Sequence, residues 1–238
     1  MTPLSVVIPA YNESANIAAT LKTIIHHLEN KKYDYEIIVV DDGSTDQTLK
    51  IANDFASPKI KILENQENRG KGFSVKRGML MAEKDWVLFT DADLSTPMME
   101  MEKMLEFQEA DIQIASRAMS GAEILIHQPF HREWGGRFIN FLVRRLVVPD
   151  IMDTQCGFKL FKKEAAKKIF SMQTINGFGF DIEILYLARR LGYKIVEIPV
   201  VWSHHTDSKV APFSEGFQIL CDICKIRLRH RGNLGNGP

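Results

Sequence analysis

The sequence has few cysteines, no excess of charge and no long apolar run, and each shortage excludes a class of protein. Three cysteines are too few for a disulfide framework, so we expect a reducing compartment. Thirty basic side chains balance thirty acidic ones, which argues against a nucleic-acid-binding protein. No stretch approaches the roughly 18 apolar residues of a membrane span, and the first residues lack a signal-peptide pattern. We expect a cytoplasmic protein that is soluble or peripheral on the cytoplasmic face of a membrane.

What the sequence has instead is a regular alternation of strand and helix patterns in its first half. Helical patterns separate five β-branched runs, at residues 4–9, 35–40, 59–63, 86–90 and 111–116. This alternation predicts one α/β domain over residues 1–238, with a doubly wound, mainly parallel, Rossmann-like sheet. In the second half, residues 117–133 are interpreted as a mobile loop and residues 213–229 as an amphipathic helix.

Polar side chains directly follow several of the predicted strands. The carboxyl ends of parallel strands share one edge of an open α/β sheet, and ligands bind at that edge. The residues concerned are Tyr11, Asn12, Glu13, Asp41, Asp42, Asp91, Asp93 and Arg117. Each could instead be a helix cap or part of an Asx-turn, because Asp and Ser favour such positions. Capping accounts poorly for paired carboxylates at two strand ends, so we expect a ligand site there.

The segment "DAD" at residues 91–93 predicts a metal site. If the chain stays extended beyond its strand, the side chains of Asp91 and Asp93 point to the same side. Two carboxylates supplemented by phosphate oxygens suit Mg²⁺ or Mn²⁺, which need few protein ligands and keep water or substrate in the remaining positions.

Five motifs together resemble glycosyltransferase family 2, whose members have the GT-A nucleotide-sugar-binding fold. They are "VVIPAYNE", "IIVVDDGSTD", "NRGKG", "FTDADLSTP" and "DTQCGFKLF", and the match covers roughly residues 4–210. Within the family, "DADLSTP" with "TQCGFKLF" most resembles the polyprenyl-phosphate glycosyltransferases, above all the dolichyl-phosphate β-glucosyltransferases. The dolichyl-phosphate mannosyltransferases, which use GDP-mannose, are the nearest alternative.

The resemblance implies a role for each matching position. The nucleotide-sugar donor, UDP-glucose in the favoured interpretation, would contact Pro9, Ala10, Tyr11, Glu13, Asp41, Asp42, Lys71, Asp91, Ala92, Asp93, Gln155, Ser208 and Lys209. Asp91, Asp93 and Gln155 would face the divalent ion, with Asp93 the closer ligand and Asp91 directed towards the ribose or the sugar. Asp207 stands where the family usually has glycine before Ser208 and Lys209, which sets that segment apart from the family pattern.

The acceptor decides whether the reaction needs a base. The family inverts the anomeric centre by direct displacement, and a polyprenyl phosphate is already an anionic nucleophile. Arg117, Arg132 and Arg137 flank the loop where its phosphate would bind, with Arg117 the first candidate, since Arg132 and Arg137 could also be surface charges. A saccharide hydroxyl would need a general base, for which Asp181 is the candidate. Asp181 also fits the N-cap of the helix predicted over 181–191.

The last predicted helix leaves a choice between a lipid surface and the protein core. Its apolar residues recur on one stripe, and basic residues follow at its end; the stripe consists of Phe213, Phe217, Leu220, Cys221, Cys224 and Leu228. The pattern fits an interfacial helix on anionic lipid, and it also fits a helix packed on the sheet with a solvated basic end. Two rival functions remain. One is transfer to a saccharide or protein hydroxyl. The other is a non-catalytic nucleotide-sugar-binding module, which the paired Asp91 and Asp93 argue against.

Overall fold

The computed structural model describes residues 2–126, 140–204 and 212–231, apart from the side chains of residues 212–217. The strands are β1 Leu4–Ala10, β2 Tyr35–Asp41, β3 Ile60–Glu64, β4 Trp86–Thr90, β5 Ile112–Ser116, β6 Glu123–Ile126, β7 Phe158–Lys162, β8 Ile195–Pro199 and β9 Val201–Ser203. The helices are α1 Ile17–Asn30, α2 Thr48–Asn53, α3 Lys71–Met81, α4 Glu100–Leu105, α5 Lys163–Met172, α6 Phe180–Arg190 and α7 Pro212–Arg229. Residues 140–146 are also helical.

A seven-stranded sheet in the order β3-β2-β1-β4-β7-β5-β8 forms the centre of the fold. Its neighbouring strands are parallel except β7, which runs antiparallel between β4 and β5. Every residue of β1 and β2 is buried, because helices cover both faces of the sheet. The predicted α/β class with a doubly wound, mainly parallel sheet is therefore confirmed.

The apolar periodicity of the sequence decides which face each element presents to the core. On β1, Leu4, Val6 and Ile8 belong to one buried cluster, whereas Val7 belongs to the other. Helix α1 buries Ile17, Leu21, Ile24 and Leu28, which follow one another at helical spacing. The sheet is thus held between two apolar layers, which leaves its strand ends available for polar residues.

The interpretation of residues 117–133 as one loop is wrong in part. Residues 123–126 form β6, which pairs in parallel with β9 in a small second sheet. The pairing is irregular between Ile124 and Ile126, and Leu125 and Ile126 are exposed. An isolated four-residue strand gives little sequence signal because its partner, β9, lies far along the chain.

Candidate active site

The carboxyl ends of four parallel strands place the predicted polar residues along one edge of the sheet. Tyr11 follows β1, Asp41 ends β2, Asp91 follows β4, and Arg117 follows β5. The antiparallel strand β7 begins at this same edge, since Phe158 pairs with Thr90. The segment before β7 is therefore added to the site by topology.

Asp42 holds together the loop that leads to α3. Its Oδ1 accepts hydrogen bonds from Asn65 Nδ2 at 2.7 Å, Ser74 Oγ at 2.9 Å and the Arg69 backbone N–H at 3.0 Å. Its Oδ2 accepts one from the Gly70 N–H at 2.8 Å. The side chain is almost fully buried. These contacts give Asp42 a structural task within this loop, and the base or ribose contact that the resemblance implies for it stays a prediction.

Asp41, next to it, is arranged differently. Its Oδ2 accepts a hydrogen bond from the Ser44 backbone N–H at 2.9 Å. Its Oδ1 is buried and has no hydrogen-bond partner within the described part of the chain. A buried carboxylate oxygen without a partner costs free energy unless a ligand supplies a donor. Of the two acids, Asp41 is the one available to a ligand.

The metal-site prediction assumed that the chain stays extended through Asp91 and Asp93, which would point both side chains to the same side. This assumption is wrong, because the chain turns there. Strand β4 ends at Thr90, and the Leu94 N–H donates to the Asp91 carbonyl at 3.3 Å across a turn. Leu94 has a φ of 49°, a conformation that side chains rarely adopt. Asp93 accepts hydrogen bonds from Ser95 N–H and Oγ, each at 2.9 Å. The two acids are brought near one another by this turn.

Lys71 makes an ion pair with Asp91, with 2.7 Å between Nζ and Oδ1. Burial alone would lower the pKa of Lys71, but the carboxylates of Asp91, Asp181 and Asp93 raise it. Burial is also the largest influence on Asp91 and raises the pKa of its carboxyl, while Lys71 acts in the opposite direction. The ion pair therefore offsets part of the cost of placing both charges in the site.

Two glycines allow this ion pair to form. A Cβ on Gly157 would lie 2.0 Å from Asp91 Oδ2, so only glycine leaves room for the carboxylate. A Cβ on Gly72 would lie 2.6 Å from the carbonyl oxygen of Ile175. The start of α3 is thus pressed against residues 175–177, where the Phe73 N–H also donates to the Asn176 carbonyl at 3.1 Å. Lys71 is the first residue of this helix, and its ammonium reaches Asp91 in the turn after β4.

Asp181 is paired with a fully buried lysine. Lys159 Nζ contacts Asp181 Oδ1 and donates to the Cys156 carbonyl at 2.7 Å. The N-cap residue of α6 is Gly179, so the interpretation of Asp181 as an N-cap is wrong. Asp181 lies within the first turn, where a carboxylate is favoured by the helix dipole.

Arg117 is held by Asp153. Its Nε and Nη2 donate to the two carboxylate oxygens at 2.7 and 2.9 Å, and its backbone N–H donates at 2.9 Å. Burial alone would lower the pKa of Arg117, but Asp153 raises it above its usual value. The guanidinium also lies 5.1 Å from the centre of the Trp202 ring. A phosphate would therefore meet an arginine whose position is already set by a carboxylate and an aromatic ring.

Comparison with known proteins identifies the family. The family model described as Glycosyl transferase family 2 matches residues 5–170. The chain belongs to glycosyltransferase family 2. Among its relatives in this family, the dolichyl-phosphate β-glucosyltransferase of Dictyostelium discoideum is 37% identical over 95% of this chain and 74% of its own length. The human dolichyl-phosphate β-glucosyltransferase is 36% identical over 95% of this chain and 75% of its own.

Solved structures of two other glycosyltransferases share the fold. Glucosyl-3-phosphoglycerate synthase from Mycobacterium tuberculosis, in complex with Mn²⁺, UDP and glucosyl-3-phosphoglycerate, has a TM-score of 0.68 and 20% identity. The superposition covers 94% of this chain and 80% of that chain. Mannosyl-3-phosphoglycerate synthase from Rubrobacter xylanophilus has a TM-score of 0.72 and 15% identity, covering 98% and 76% of the two chains. These neighbours support the GT-A architecture expected for family 2.

The structure brings most, but not all, of the residues expected for a family 2 site to one place. Pro9 and Ala10 end β1, and Tyr11 and Glu13 follow it at the same edge. Ala92 lies in the turn between the two aspartates, where its carbonyl accepts a hydrogen bond from Thr20 Oγ1 at 2.5 Å. Gln155 precedes β7, and its backbone N–H donates to Asp153 at 3.3 Å. Four of the expected residues lie outside the described part of the chain: Arg132, Arg137, Ser208 and Lys209.

Sequence reasoning missed two charged residues of this site, Asp153 and Lys159. Both lie in the motif "DTQCGFKLF", from which only Gln155 was assigned a role. A signal existed for Lys159, because a charge flanked by apolar residues in a buried strand requires a partner. For Asp153 the signal is weaker, since its partner Arg117 is 36 residues away in sequence.

Helix α7 packs only in part through the predicted stripe: Leu220 contacts the core cluster, and the side chains of Phe213 and Phe217 lie outside the described part of the chain. Among the described side chains of α7, Asp222 is buried, and so are Ile219, Ile223 and Ile226, which belong to the core cluster that also includes residues of α6. From the predicted stripe, Leu228 is 62% exposed and Cys224 is exposed. The helix thus has one apolar face in the core and a second set of apolar side chains that reaches solvent. Within the residues described, we find no helix long and apolar enough to cross a bilayer.

Proposed function

We propose that this chain transfers glucose from UDP-glucose to a polyprenyl or dolichyl phosphate, with inversion at the anomeric carbon. The observation that carries the choice of acceptor is the contact between Asp181 and Lys159. A hydroxyl acceptor needs a base, and the candidate base has Oδ1 already occupied by a buried ammonium. A phosphate acceptor is an anion and needs none. The names of the relatives in Dictyostelium and human support the same choice.

The donor nucleotide would bind at the ends of β1 and β2. The unpartnered Asp41 Oδ1 suits an N–H of a nucleobase such as uracil, because it is a buried acceptor without a donor among the described residues. Asp42 would act indirectly by fixing Gly70 and the loop before Lys71. Lys71 would then meet the diphosphate, for which a flexible ammonium is suited.

The residues at the D-x-D turn fit a divalent metal. Asp91 and Asp93 offer carboxylate oxygens, which are the ligands that Mg²⁺ and Mn²⁺ prefer. No group of three or more His, Cys, Asp or Glu side chains suited to a metal occurs in the described ranges. A cation there would therefore take its remaining ligands from the donor diphosphate and from water. When bound, it would supply positive charge to offset the negative charge on the leaving diphosphate.

The reaction requires one displacement and no proton transfer. An oxygen of the acceptor phosphate attacks C1 of glucose, the bond between C1 and the UDP oxygen breaks, and UDP leaves with the electron pair. Lys71 lies where a cation can offset the charge that develops on UDP. Arg117, oriented by Asp153, would bind the acceptor phosphate.

The acceptor lipid would reach this site from a membrane surface. Leu228 on α7 is exposed, and Arg227 and Arg229 lie in the last turn of the same helix. Apolar side chains beside basic ones suit the headgroup region of an anionic bilayer. We propose a peripheral contact of this kind on the cytoplasmic face.

A transfer assay tests the function. The protein is incubated with Mn²⁺, radiolabelled UDP-glucose and a short polyprenyl phosphate, and lipid-extractable label is measured. We expect β-linked glucosyl lipid from the native chain and none from Asp93→Ala. Asp54→Ala, at an exposed C-cap of α2, is the control and should retain transfer. Failure to transfer from UDP-glucose, GDP-mannose and dTDP-glucose alike would refute the proposal, and transfer only to saccharides would refute the acceptor.

A further inference from the structure

Lys159 occupies an unusual position for a charged residue. It is the second residue of β7, has no solvent exposure, and stands between the apolar Phe158 and Leu160. A buried ammonium is costly unless it is paired and hydrogen-bonded. Lys159 meets both conditions through Asp181 and the Cys156 carbonyl. A methionine or leucine could be buried here without the desolvation free energy of an ammonium, so packing alone does not explain the charge of Lys159.

The Lys159–Asp181 pair is adjacent to the Lys71–Asp91 pair. Lys159 Nζ lies 5.9 Å from the centre of the Phe89 ring, and Lys71 Nζ lies 5.5 Å from the centre of the same ring. Phe89 in turn packs edge-on against Phe180, with 5.8 Å between centroids. Phe180 directly precedes Asp181, and Phe89 lies two positions before Asp91. Both ion pairs are therefore built around one aromatic contact.

The charge of Asp181 acts on Lys71 as well as on Lys159. After Asp91, Asp181 is the next carboxylate that favours the charged form of Lys71. The ammonium of Lys71 ends a flexible four-carbon stem, which a single ion pair restrains poorly. A second carboxylate close to this ammonium, next to the Phe180 ring that packs on Phe89, narrows the positions available to Lys71. That carboxylate is itself fixed by Lys159.

We propose that Lys159 is a positioning residue of the transfer site: it anchors Asp181 beside Lys71, and Asp181 then keeps Lys71 at the place where it meets Asp91 and the donor. Lys159 itself touches no substrate. The inference rests on the proposed role of Lys71 in binding the donor diphosphate. It assigns Asp181 a task that differs from both a general base and a helix cap.

A charge-neutral replacement separates this role from a purely structural one. The variant Lys159→Met with Asp181→Asn removes both charges together, so no unpaired charge remains buried and the fold should persist. Asp181→Asn alone is a second variant: its amide oxygen can still accept a hydrogen bond from Lys159, but the buried ammonium loses its counter-ion, so we expect a lower melting temperature than in the double variant. The matched control is Lys162→Met with Asp111→Asn, which removes a partly exposed ion pair of 3.1 Å involving the same strand.

The test is a double-mutant cycle with Lys71→Met, in which calorimetry gives the dissociation constant of UDP with Mn²⁺ present. In the native background, we expect Lys71→Met to weaken UDP binding roughly tenfold, about the worth of one charge-assisted contact. We expect Lys71→Met to weaken UDP binding less than about threefold when Asp181 is already asparagine, whether alone or together with Lys159→Met. In the control background the tenfold loss should remain.

The inference would be overturned if Lys71→Met weakened UDP binding by the same factor in all backgrounds and the Lys159→Met, Asp181→Asn protein bound UDP with native affinity. The Lys159–Asp181 pair would then serve the fold alone. The proposed function would survive that result. Failure of the native chain to bind UDP would overturn the proposed function, and the role of Lys159 with it. Melting temperatures of every variant establish that the proteins compared are folded.

Discussion

Asp41 and Asp42 are neighbours of the same residue type, yet the structure predicts opposite consequences when each is changed to asparagine. Asp42 accepts four hydrogen bonds, two of them from the backbone N–H groups of Arg69 and Gly70. Asp41 accepts one hydrogen bond, from Ser44, through Oδ2. Its Oδ1 has no partner in the part of the chain that is described.

Asp42→Asn replaces one of two acceptor oxygens with an NH₂ group that faces a donor. Hydrogen bonds to a charged group contribute about 1.5–3 kcal/mol each, and leaving a buried donor unpaired costs about 1–3 kcal/mol. These values are not additive within one network, so we expect a loss of about 2–4 kcal/mol in the free energy of unfolding. For a chain of this length that corresponds to a fall of roughly 5–15 °C in melting temperature.

Asp41→Asn retains an oxygen for Ser44 and should cost less than about 1 kcal/mol in the free energy of unfolding. It removes the charge that we propose for a nucleobase contact, so UDP affinity should fall about tenfold or more. Urea unfolding followed by tryptophan fluorescence measures the first quantity, and calorimetry with UDP and Mn²⁺ measures the second. Asp54→Asn at the exposed end of α2 is the control for both.

The reasoning would be refuted by the reverse pattern. If Asp42→Asn unfolds at the native urea concentration while UDP binding is lost, Asp42 is a ligand contact and its hydrogen bonds contribute little to the fold. If Asp41→Asn destabilises the chain as strongly as Asp42→Asn does, the unpartnered oxygen has a structural role. Equal slopes of free energy against urea are required for either comparison.

Three further predictions follow from single contacts. Gly157→Ala should force the Asp91 carboxylate to move, because the new Cβ would lie 2.0 Å from it, and UDP affinity should fall at least about tenfold with little change in stability. Arg117→Lys should raise the KM for polyprenyl phosphate about tenfold and leave UDP affinity within about twofold, because lysine cannot reproduce a bidentate contact. Asp46→Asn should reduce stability at neutral pH and have no effect at very low pH. Burial raises the pKa of Asp46, but hydrogen bonds from Thr48 and Ser14 outweigh it and lower the value to about 2. A depressed pKa stabilises the fold above the ordinary value of 3.8, and the contribution is lost as pH falls through about 2. Because Asp46 is exposed, we expect less than about 1 kcal/mol, measured by urea unfolding between pH 7 and pH 2.

Each of these has a control and a contrary result. Gly177→Ala has no atom within 4 Å of its new Cβ and should bind UDP normally; equal losses at both glycines would refute the steric argument. Loss of UDP affinity in Arg117→Lys would show that Arg117 supports the donor site through Asp153. A stability difference for Asp46→Asn that persists unchanged to pH 2 would show that its cause is not the charge of Asp46.

The sequence alone predicted the sheet and the edge at which the site lies. Alternating β-branched runs and amphipathic helices are local patterns, and the covered α/β sheet follows from them because each apolar face must be buried. In such a sheet, residues after parallel strands must meet at one edge, and this rule alone predicts that Asp41, Asp91 and Arg117 lie along the same edge. The motifs at these positions also identified the family that the relatives confirm.

Only the tertiary structure determines which of these charged residues can bind a ligand and which are already occupied by partners within the chain. Asp41 and Asp42 differ in the partners that Asn65, Arg69 and Ser74 supply from other parts of the chain, and no local pattern records those contacts. No local pattern predicts the ion pair of β7 either: this antiparallel strand lies between β4 and β5, and its Lys159 contacts Asp181, which is 22 residues away in sequence. Periodicity reports which face of an element is apolar, because that depends on near neighbours in sequence. The pairing of buried charges depends on distances that exist only once the chain is folded.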